Sequence, residues 1–397
     1  MTWAAYREVL SDRRVAVLLL LGIFVRVPAA GGLAMTFYVV ESLDRSYAAA
    51  GLVMTALTIG HALGAPWRGR RVDQVGLRPA LRAPILVETV GYAVASVAGY
   101  WPLAILAFVI GIFTLPSFSA IRQALVAAVP VERRRTVLSL DSIGVELTFM
   151  TAPALVAWVA TSYSPGVALR GLAVTACVAG VALYAYNPAL VGEGEDATVA
   201  GAADPRAWVS ARLVAALVVC TGAAIVLFGT DVSIFARLRE LDALPQTGIV
   251  FAVWSVGSIL GALVYGQLRS PPSPAWLLLG LAVCTAPLAL MHSVPAMSAA
   301  VLVAGFLCAP VIVATAEVVT EAAPANRRGT ALGWHGSALT TGGAVAGPYA
   351  GVMMDRFGAG AGPVAVAVVG GVLAVAGFAL VARSASRVIL PEASAEQ

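Results

Sequence analysis

The sequence predicts an all-α integral membrane protein with twelve transmembrane helices. Hydrophobic residues make up 60% of the 397 residues and charged residues only 12%, which is outside the usual composition of soluble domains. Apolar runs of roughly 20 residues, each long enough to cross about 30 Å of hydrocarbon, recur along the chain. Lipid offers no partner for backbone amides, and the runs lack the alternation typical of barrel strands. Each run is therefore predicted to be a helix.

The twelve predicted spans follow one another with short polar connections. The first span, preceded by Arg13 and Arg14, is too long for a cleaved signal peptide. The four cysteines all fall inside apolar spans, so they are expected to act as small hydrophobic residues without disulfides. The spans cover residues 15–40, 47–67, 80–100, 102–124, 136–160, 166–187, 211–236, 247–268, 275–293, 296–319, 329–354 and 360–383.

The arginines predict the orientation of the chain in the membrane. All 25 cationic residues are arginine, because the sequence contains no lysine. If the N-terminus is cytoplasmic, nineteen of them lie on the cytoplasmic side, while Arg26 falls within the membrane. This bias follows the positive-inside rule and predicts a multi-pass protein of the inner, cytoplasmic membrane with both termini cytoplasmic. The net charge of +4 then reflects topology and contact with anionic lipids, and no nucleic-acid partner is expected. The five outer arginines are Arg45, Arg170, Arg237, Arg239 and Arg356.

Recurring motifs predict an internal duplication. The segment "GHALGAPWRG" at 60–69 matches "GSILGALVYG" at 257–266, and "ERRRTVLS" at 132–139 matches "NRRGTALG" at 326–333. We therefore predict two pseudo-symmetric six-helix halves, 1–187 and 211–397, joined by a polar cytoplasmic linker at 188–210. Four glycines of the first repeated motif are expected at close helix contacts, namely Gly60, Gly64, Gly257 and Gly261.

One charged loop carries a more specific motif. The stretch "RGRRVDQVGLRPALR" at 68–82 contains G-x-x-x-D-x-x-G-x-R, formed by Gly69, Asp73, Gly76 and Arg78. It resembles the signature loop of the major facilitator superfamily, and the resemblance covers nearly the whole chain. The resemblance implies two six-helix halves, secondary transport by alternating access, no cofactor, and a conformational latch made by these four residues.

The residue types of the predicted latch suit such a role. Glycine permits a tight turn close to neighbouring helices, and a carboxylate accepts hydrogen bonds from helix-end amides or guanidinium groups. When the cytoplasmic side is closed, we expect Asp73 to pair with an arginine, with Arg122 or an arginine of its own loop as the leading partner. The alternative is a positive-inside loop with an incidental aspartate.

The resemblance is closest to bacterial drug and metabolite exporters, with departures. Proton-coupled exporters of this fold usually carry an arginine in the fourth helix, where this chain has Ala107. Their fifth helix usually carries G-P-x-x-G-G, whereas here Ala152 and Pro153 are followed by "ALVA". Proton-coupled export is therefore an expectation from the fold rather than from these two signatures.

Ionisable residues inside spans are costly unless they are paired or hydrated, and they usually mark a transport pathway. Arg26 and Glu146 have similar predicted depths in the first and fifth spans, so we predict that they pair and that Glu146 exchanges a proton. The alternative is a permanent structural ion pair. Asp231, near the outer end of the seventh span, is a third coupling candidate, and its alternative is a side chain that reaches the outer surface.

A second set of charged residues recurs between the halves. Arg122 corresponds to Glu317 at an offset of 195 residues, and Asp141 corresponds to His335 at an offset of 194. Each predicted half thus has one basic and one acidic candidate near its cytoplasmic end. These four residues are predicted to form a cytoplasmic gate, and the alternative is a set of solvated helix-end charges.

Apolar and aromatic residues supply the candidates for a substrate cavity, and the alternative is that they only pack against other helices or lipid. A central site with few fixed charges favours a small amphipathic molecule as substrate. The candidates are Phe24, Met35, Phe149, Trp254 and Trp334.

The predicted function is secondary transport of a small amphipathic molecule by a monomer, as efflux in exchange for protons. The alternative within the class is a metabolite or sugar carrier that runs in either direction. A membrane-embedded enzyme is least favoured, because the three histidines are scattered along the chain and no H-E-x-x-H or Gly-rich phosphate loop occurs. No catalytic residue and no metal site are predicted.

Overall fold

A computed structural model describes residues 4–192 and 208–388 of the chain. Fifteen α-helices account for most of this described part, which contains no β-strand. Most of the predicted linker lies outside the described residues, which omit 193–207.

The first nine helices cover the first six predicted spans. The first span is one helical segment with irregular turns, because Pro28 removes a backbone donor and a 3-10 turn at Val27–Ala30 separates α2 from α3. A π-helical turn, Tyr38–Ser42, follows α3. The helices are α1 (Ala4–Ser11), α2 (Arg13–Arg26), α3 (Gly31–Phe37), α4 (Tyr47–Val75), α5 (Leu77–Ala95), α6 (Tyr100–Phe113), α7 (Ser117–Ala127), α8 (Arg134–Ser162) and α9 (Pro165–Tyr186).

Six helices cover the remaining predicted spans. Serine caps begin α10 and α13, because the side chains of Ser210 and Ser293 accept hydrogen bonds from backbone amides in the first turn. The helices are α10 (Ala211–Glu240), α11 (Thr247–Tyr265), α12 (Pro274–Thr285), α13 (Val294–Ala322), α14 (Arg328–Phe357) and α15 (Ala361–Val388).

Nine helical segments of the described chain are long and apolar enough to cross a membrane. The prediction of an all-helical membrane protein is confirmed, and nine of the twelve predicted spans meet this criterion. The other three predicted spans coincide with α5, with α14, and with α12 and its 3-10 extension, which forms a shorter apolar helix at Pro274–Leu290. The nine segments are Arg13–Ser42, Ala49–Val75, Tyr100–Ala127, Val131–Ser162, Pro165–Tyr186, Ala211–Glu240, Leu244–Tyr265, Val294–Ala322 and Ala361–Ala382.

The chain folds into two compact units. The first unit comprises Met1–Ala197 together with Ala325–Thr340, and the second comprises Thr198–Pro324 together with Thr341–Gln397. The N-terminal part of α14 thus belongs to the first unit. Inside that unit, the largest helix contacts are those of α4 with α6 and of α5 with α9. Inside the second unit, α11 packs on α13 and α10 packs on α15.

The repeated glycines lie at close helix contacts, as predicted. A Cβ atom on Gly60 or Gly64 of α4 would overlap a backbone carbonyl oxygen of α6. A Cβ atom on Gly257 or Gly261 of α11 would overlap a carbonyl oxygen of α13. Missing side chains therefore allow the same kind of close backbone approach at corresponding places in each unit.

Candidate functional site

A buried charge cluster lies in the first unit, formed by Arg26, Asp141 and Arg122. Nη2 of Arg26 lies 2.7 Å from Oδ1 of Asp141, and Nε of Arg122 donates a hydrogen bond of 3.0 Å to Oδ2 of the same carboxylate. The three residues are at most 4% exposed. Each charge would be costly alone in such an apolar setting, so the pairing is what permits its burial.

The three helices that carry the cluster explain its geometry. Arg26 ends α2, Arg122 lies in the middle of α7, and Asp141 is the eighth residue of α8. Long side chains on a helix point back toward its N-terminus. The guanidinium group of Arg26 does so, since a Cβ atom on Gly22 would lie 3.2 Å from its Nη1 atom.

The predicted pairing of Arg26 with Glu146 is wrong in this structure. Asp141, five residues earlier in α8, takes the place of Glu146 as the acidic partner. The prediction compared the depths of the helix backbones and neglected the reach of the arginine side chain toward the start of its helix. Glu146 is half-buried and has an interaction of its own.

The two arginines contact different oxygens of the carboxylate. Arg122 donates a hydrogen bond to Oδ2 of Asp141, and Nη2 of Arg26 lies 2.7 Å from Oδ1. Nε of Arg26 is buried and makes no hydrogen bond. Two cations and one anion leave one surplus positive charge in the cluster.

An aromatic pair adjoins the cluster. The carbon of the Arg26 guanidinium group lies 4.9 Å from the centre of the Phe118 ring, and that of Arg122 lies 6.0 Å from it. Phe118 stacks on Phe149 with ring centres 6.5 Å apart. Phe149 is 53% exposed, so a continuous aromatic path leads from the buried arginines to the surface of the unit.

Three of the four predicted gate residues lie in the first unit, and the fourth, Glu317, lies in the second unit. Arg122 and Asp141 form an ion pair with each other, and His335, buried at 1% exposure, interacts electrostatically with Arg122. These three residues belong to the first unit, and their burial contradicts the alternative of solvated helix ends. Glu317 belongs to the second unit and accepts a hydrogen bond of 3.3 Å from the hydroxyl of Tyr265.

Asp73 makes no ion pair with an arginine among the described residues, contrary to the expectation. Its Oδ1 atom accepts a hydrogen bond of 2.8 Å from the backbone amide of Gly329, and Oδ2 accepts from the amide and the hydroxyl of Thr330, both at 2.6 Å. The side chain of Gln123 also donates to Asp73. The carboxylate thus binds the first turn of α14, where backbone N–H groups lack intrahelical partners.

The other residues of the predicted latch support this contact. A Cβ atom on Gly69 would overlap the carbonyl oxygen of Gly329, so only glycine lets α4 approach α14 this closely. Gly76 has a φ of 78°, which favours glycine, and it forms the whole connection between α4 and α5. Arg78 donates to the carbonyl oxygens of Tyr184 and Ala185 at the end of α9, at 3.1 and 3.3 Å.

The remaining candidates vary in exposure. Asp231 is half-buried in α10 and has an interaction of its own. Among the cavity candidates, Met35 is fully buried and Trp254 is 6% exposed, so both are packed inside their units. Phe24 and Phe149 are more than half exposed, and Trp334 is half-buried.

A second polar cluster in the first unit was not predicted as a site. It lies where Pro116 separates α6 from α7. Arg68 donates to the carbonyl oxygens of Gly111 and Ile112 at 2.9 and 2.6 Å, and Glu88 accepts from the backbone amide of Leu115. Nε2 of His61 hydrogen-bonds Oγ1 of Thr114 at 2.8 Å.

A proline in the sequence marks the position of this second cluster. Pro116 and Pro310 correspond in the repeat, yet α13 continues through Pro310 while the helix breaks before Pro116. The polar side chains around the break satisfy backbone groups that the proline leaves without helical partners.

Long apolar helices in two compact units, with ion pairs buried among them, define a multi-pass α-helical membrane transporter. The chain belongs to the major facilitator superfamily, since the model of the Major Facilitator Superfamily matches residues 19–268 and also residues 215–396. No curated protein sequence matches the chain.

Two solved structures share the fold. The human organic anion transporter MFSD10 (TETRAN) is 16% identical, with a TM-score of 0.71 over 93% of this chain and 99% of that chain. A bacterial homologue of the iron transporter ferroportin, in an outward-facing state, is 14% identical, with a TM-score of 0.73 over 92% of this chain and 100% of that chain. At these identities the likeness concerns the fold alone.

Proposed function

We propose that this membrane transporter carries a small amphipathic molecule across the cytoplasmic membrane by alternating access, coupled to protons. The observation that carries the proposal is the Arg26–Asp141–Arg122 cluster, buried in the helices of the first unit. Charged residues inside spans are costly and usually lie on ion or substrate pathways. Asp141 is the proton-carrying group in this proposal, in the place that the sequence prediction gave to Glu146.

Proton coupling has a physical basis in the cluster. Asp141 is 1% exposed, and a carboxylate in such a place is stabilised as an anion mainly by its arginine partners. A substrate that binds Arg26 draws the arginine away from Asp141 and so destabilises the anionic form of Asp141. A cationic substrate that binds Asp141 in place of a proton stabilises the anionic form. Either linkage couples substrate binding to the protonation of Asp141.

The charge of the substrate decides whether substrate and proton move in the same direction or in opposite directions. A cation competes with the proton for the carboxylate, which gives efflux in exchange for protons, as the family pattern predicts. An anion competes with the carboxylate for the arginine, which gives movement of substrate and proton together. The surplus positive charge of the cluster favours the second arrangement, and with it a metabolite carrier as the second candidate function.

The latch and the orientation are part of the proposal. In this proposal both termini lie in the cytoplasm, and the contact of Asp73 with Gly329 and Thr330 lies at the cytoplasmic ends of α4 and α14. The breaking and re-forming of this contact during transport is the proposed role of the loop motif of Gly69, Asp73, Gly76 and Arg78. A monomer suffices for this scheme.

Proton flux in proteoliposomes tests the proposal. The purified protein is reconstituted with a luminal pH-sensitive dye, and two membrane-impermeant probes of fixed charge are added outside: naphthalene-2-sulfonate and a trimethyl(naphthyl)ammonium salt. Cotransport of the anion with protons acidifies the lumen, and exchange of the cation for protons makes the lumen more alkaline.

Glu146→Gln and Asp231→Asn serve as matched variants, because both acids lie outside the cluster. Proton flux with either probe supports coupled transport, and retention of the flux in both variants supports the assignment of Asp141. If neither probe changes the luminal pH relative to protein-free liposomes, the proposal of proton-coupled transport of amphipathic molecules fails.

A further inference from the structure

We propose that Arg26, with Phe118 beside it, binds the head group of an organic anion. The inference rests on the proposed transport function and specifies its substrate class: a molecule with one carboxylate, sulfonate or phosphate-type group attached to an aromatic or other apolar body. It proceeds from the charge balance of the cluster, the donor edge of Arg26 and the aromatic path of the first unit.

The charge balance is the first step. Arg26 interacts with Asp141 and Arg122 as its charged neighbours, and His335 lies beside Arg122. Asp141 neutralises one of the two arginines, so the buried cluster carries one uncompensated positive charge when His335 is neutral. A buried charge of this kind is expensive, and a bound anion removes the cost.

A donor edge of Arg26 is the second step. Nε of Arg26 is buried without any hydrogen bond, while Nη2, on the same edge of the guanidinium group, lies 2.7 Å from Oδ1 of Asp141. That edge binds two oxygens of a carboxylate or sulfonate in a bidentate pair. An oxyanion at this edge would bond the unused Nε and take the place of Oδ1 at Nη2.

The aromatic path is the third step. Phe118 lies under the guanidinium groups of both arginines, and Phe149 stacks on Phe118 and reaches the surface of the unit. An anionic head at Arg26 therefore has apolar aromatic surface next to it for the body of the same molecule. A small inorganic anion would leave that surface unused.

Three naphthalene derivatives of the same ring and different charge test the inference: naphthalene-2-sulfonate, 2-naphthylmethanol and a trimethyl(naphthyl)ammonium salt. Binding to the purified wild-type protein in detergent is measured by calorimetry. Charge-assisted hydrogen bonds to Arg26 predict that the sulfonate binds about tenfold or more tightly than the alcohol, and that the ammonium ion binds most weakly.

Substitutions of Arg26 test whether this residue forms the anion site. Arg26→Gln removes the surplus charge and leaves the Arg122–Asp141 pair intact, so it should abolish the preference for the sulfonate and bind the alcohol as the wild type does. Arg26→Lys keeps the charge and should retain part of the preference. Arg170→Gln, at an exposed position of the same unit, should bind like the wild type.

The outcomes separate this inference from the proposed function. Equal or tighter binding of the alcohol or the ammonium ion, a preference for the sulfonate that persists in Arg26→Gln, or no binding of the sulfonate to the wild type overturns the inference. Proton-coupled transport of the ammonium ion would still support the proposed function. Selective sulfonate binding without any proton flux in proteoliposomes would instead support the anion site and defeat proton coupling.

Discussion

The carboxylate of Asp73 accepts a hydrogen bond of 2.6 Å from the hydroxyl of Thr330, 257 residues away in the sequence. It also accepts from the backbone amides of Gly329 and Thr330, so it acts as a cap on the first turn of α14. A capping role requires an acceptor-only side chain, which explains why this position suits aspartate better than its amide analogue.

Asp73→Asn is predicted to loosen the start of α14 without unfolding the protein. The amide nitrogen would face a backbone N–H group, and a hydrogen bond to a charged group contributes about 1.5–3 kcal/mol. Hydrogen exchange at residues 325–340 should therefore become about tenfold faster or more. Asp355→Asn, at an exposed position of α14, is the control. Unchanged exchange at 325–340 in Asp73→Asn would refute the capping role.

Gly69→Ala and Gly257→Ala are predicted to destabilise the protein, because the added methyl group meets a backbone carbonyl oxygen in each case. Overpacking of this kind costs about 1–3 kcal/mol. Gly51→Ala in α4 and Gly248→Ala in α11 are matched controls, since a Cβ atom at either position meets nothing within 4 Å. Thermal unfolding in detergent measures the difference. Midpoints that fall equally in tests and controls would contradict the close-contact explanation.

The buried charge cluster predicts an asymmetry between two substitutions. Asp141→Asn leaves two buried arginines without an acid, and an uncompensated buried charge costs about 3–5 kcal/mol. Arg26→Gln leaves a neutral pair and should cost much less or stabilise the protein. Arg170→Gln, at an exposed position of the same unit, should change stability little. An equal loss of the unfolding midpoint in Asp141→Asn and Arg26→Gln would contradict the assigned charge balance.

Substitutions of Arg68 and Glu88, which lie beside the helix break before Pro116, are predicted to have non-additive effects on stability. Arg68→Ala removes donors from the carbonyl oxygens of Gly111 and Ile112 and takes away the positive charge that acts on Glu88, so a loss of about 1–3 kcal/mol is expected. Glu88→Gln in the same chain should restore part of that loss, which a double-mutant cycle detects. Arg82→Gln is the exposed control. Additive effects of the Arg68 and Glu88 substitutions would exclude the coupling.

The sequence predicted the helices well, because the length and apolarity of each span determine them locally. It predicted the glycine contacts because a repeated spacing of small residues has one physical reading. The sequence predicted that Arg26 lies within the membrane, but the predicted acidic partner, Glu146, was wrong. The direction of the Arg26 side chain along its helix determines that the partner is Asp141. The contacts of Asp73 with α14 and of Glu88 with Leu115 join residues distant in sequence, and no local pattern specifies such pairs.

Accumulation of naphthalene-2-sulfonate in proteoliposomes tests the central claim most directly. The sulfonate keeps its charge at every working pH, so it does not cross the lipid by itself as a neutral acid. With the outside more acidic than the lumen, wild-type protein should concentrate the labelled sulfonate inside, and Arg26→Gln should not. Accumulation that is independent of the pH gradient, or equal in wild type and Arg26→Gln, would contradict proton-coupled transport through the Arg26–Asp141 cluster.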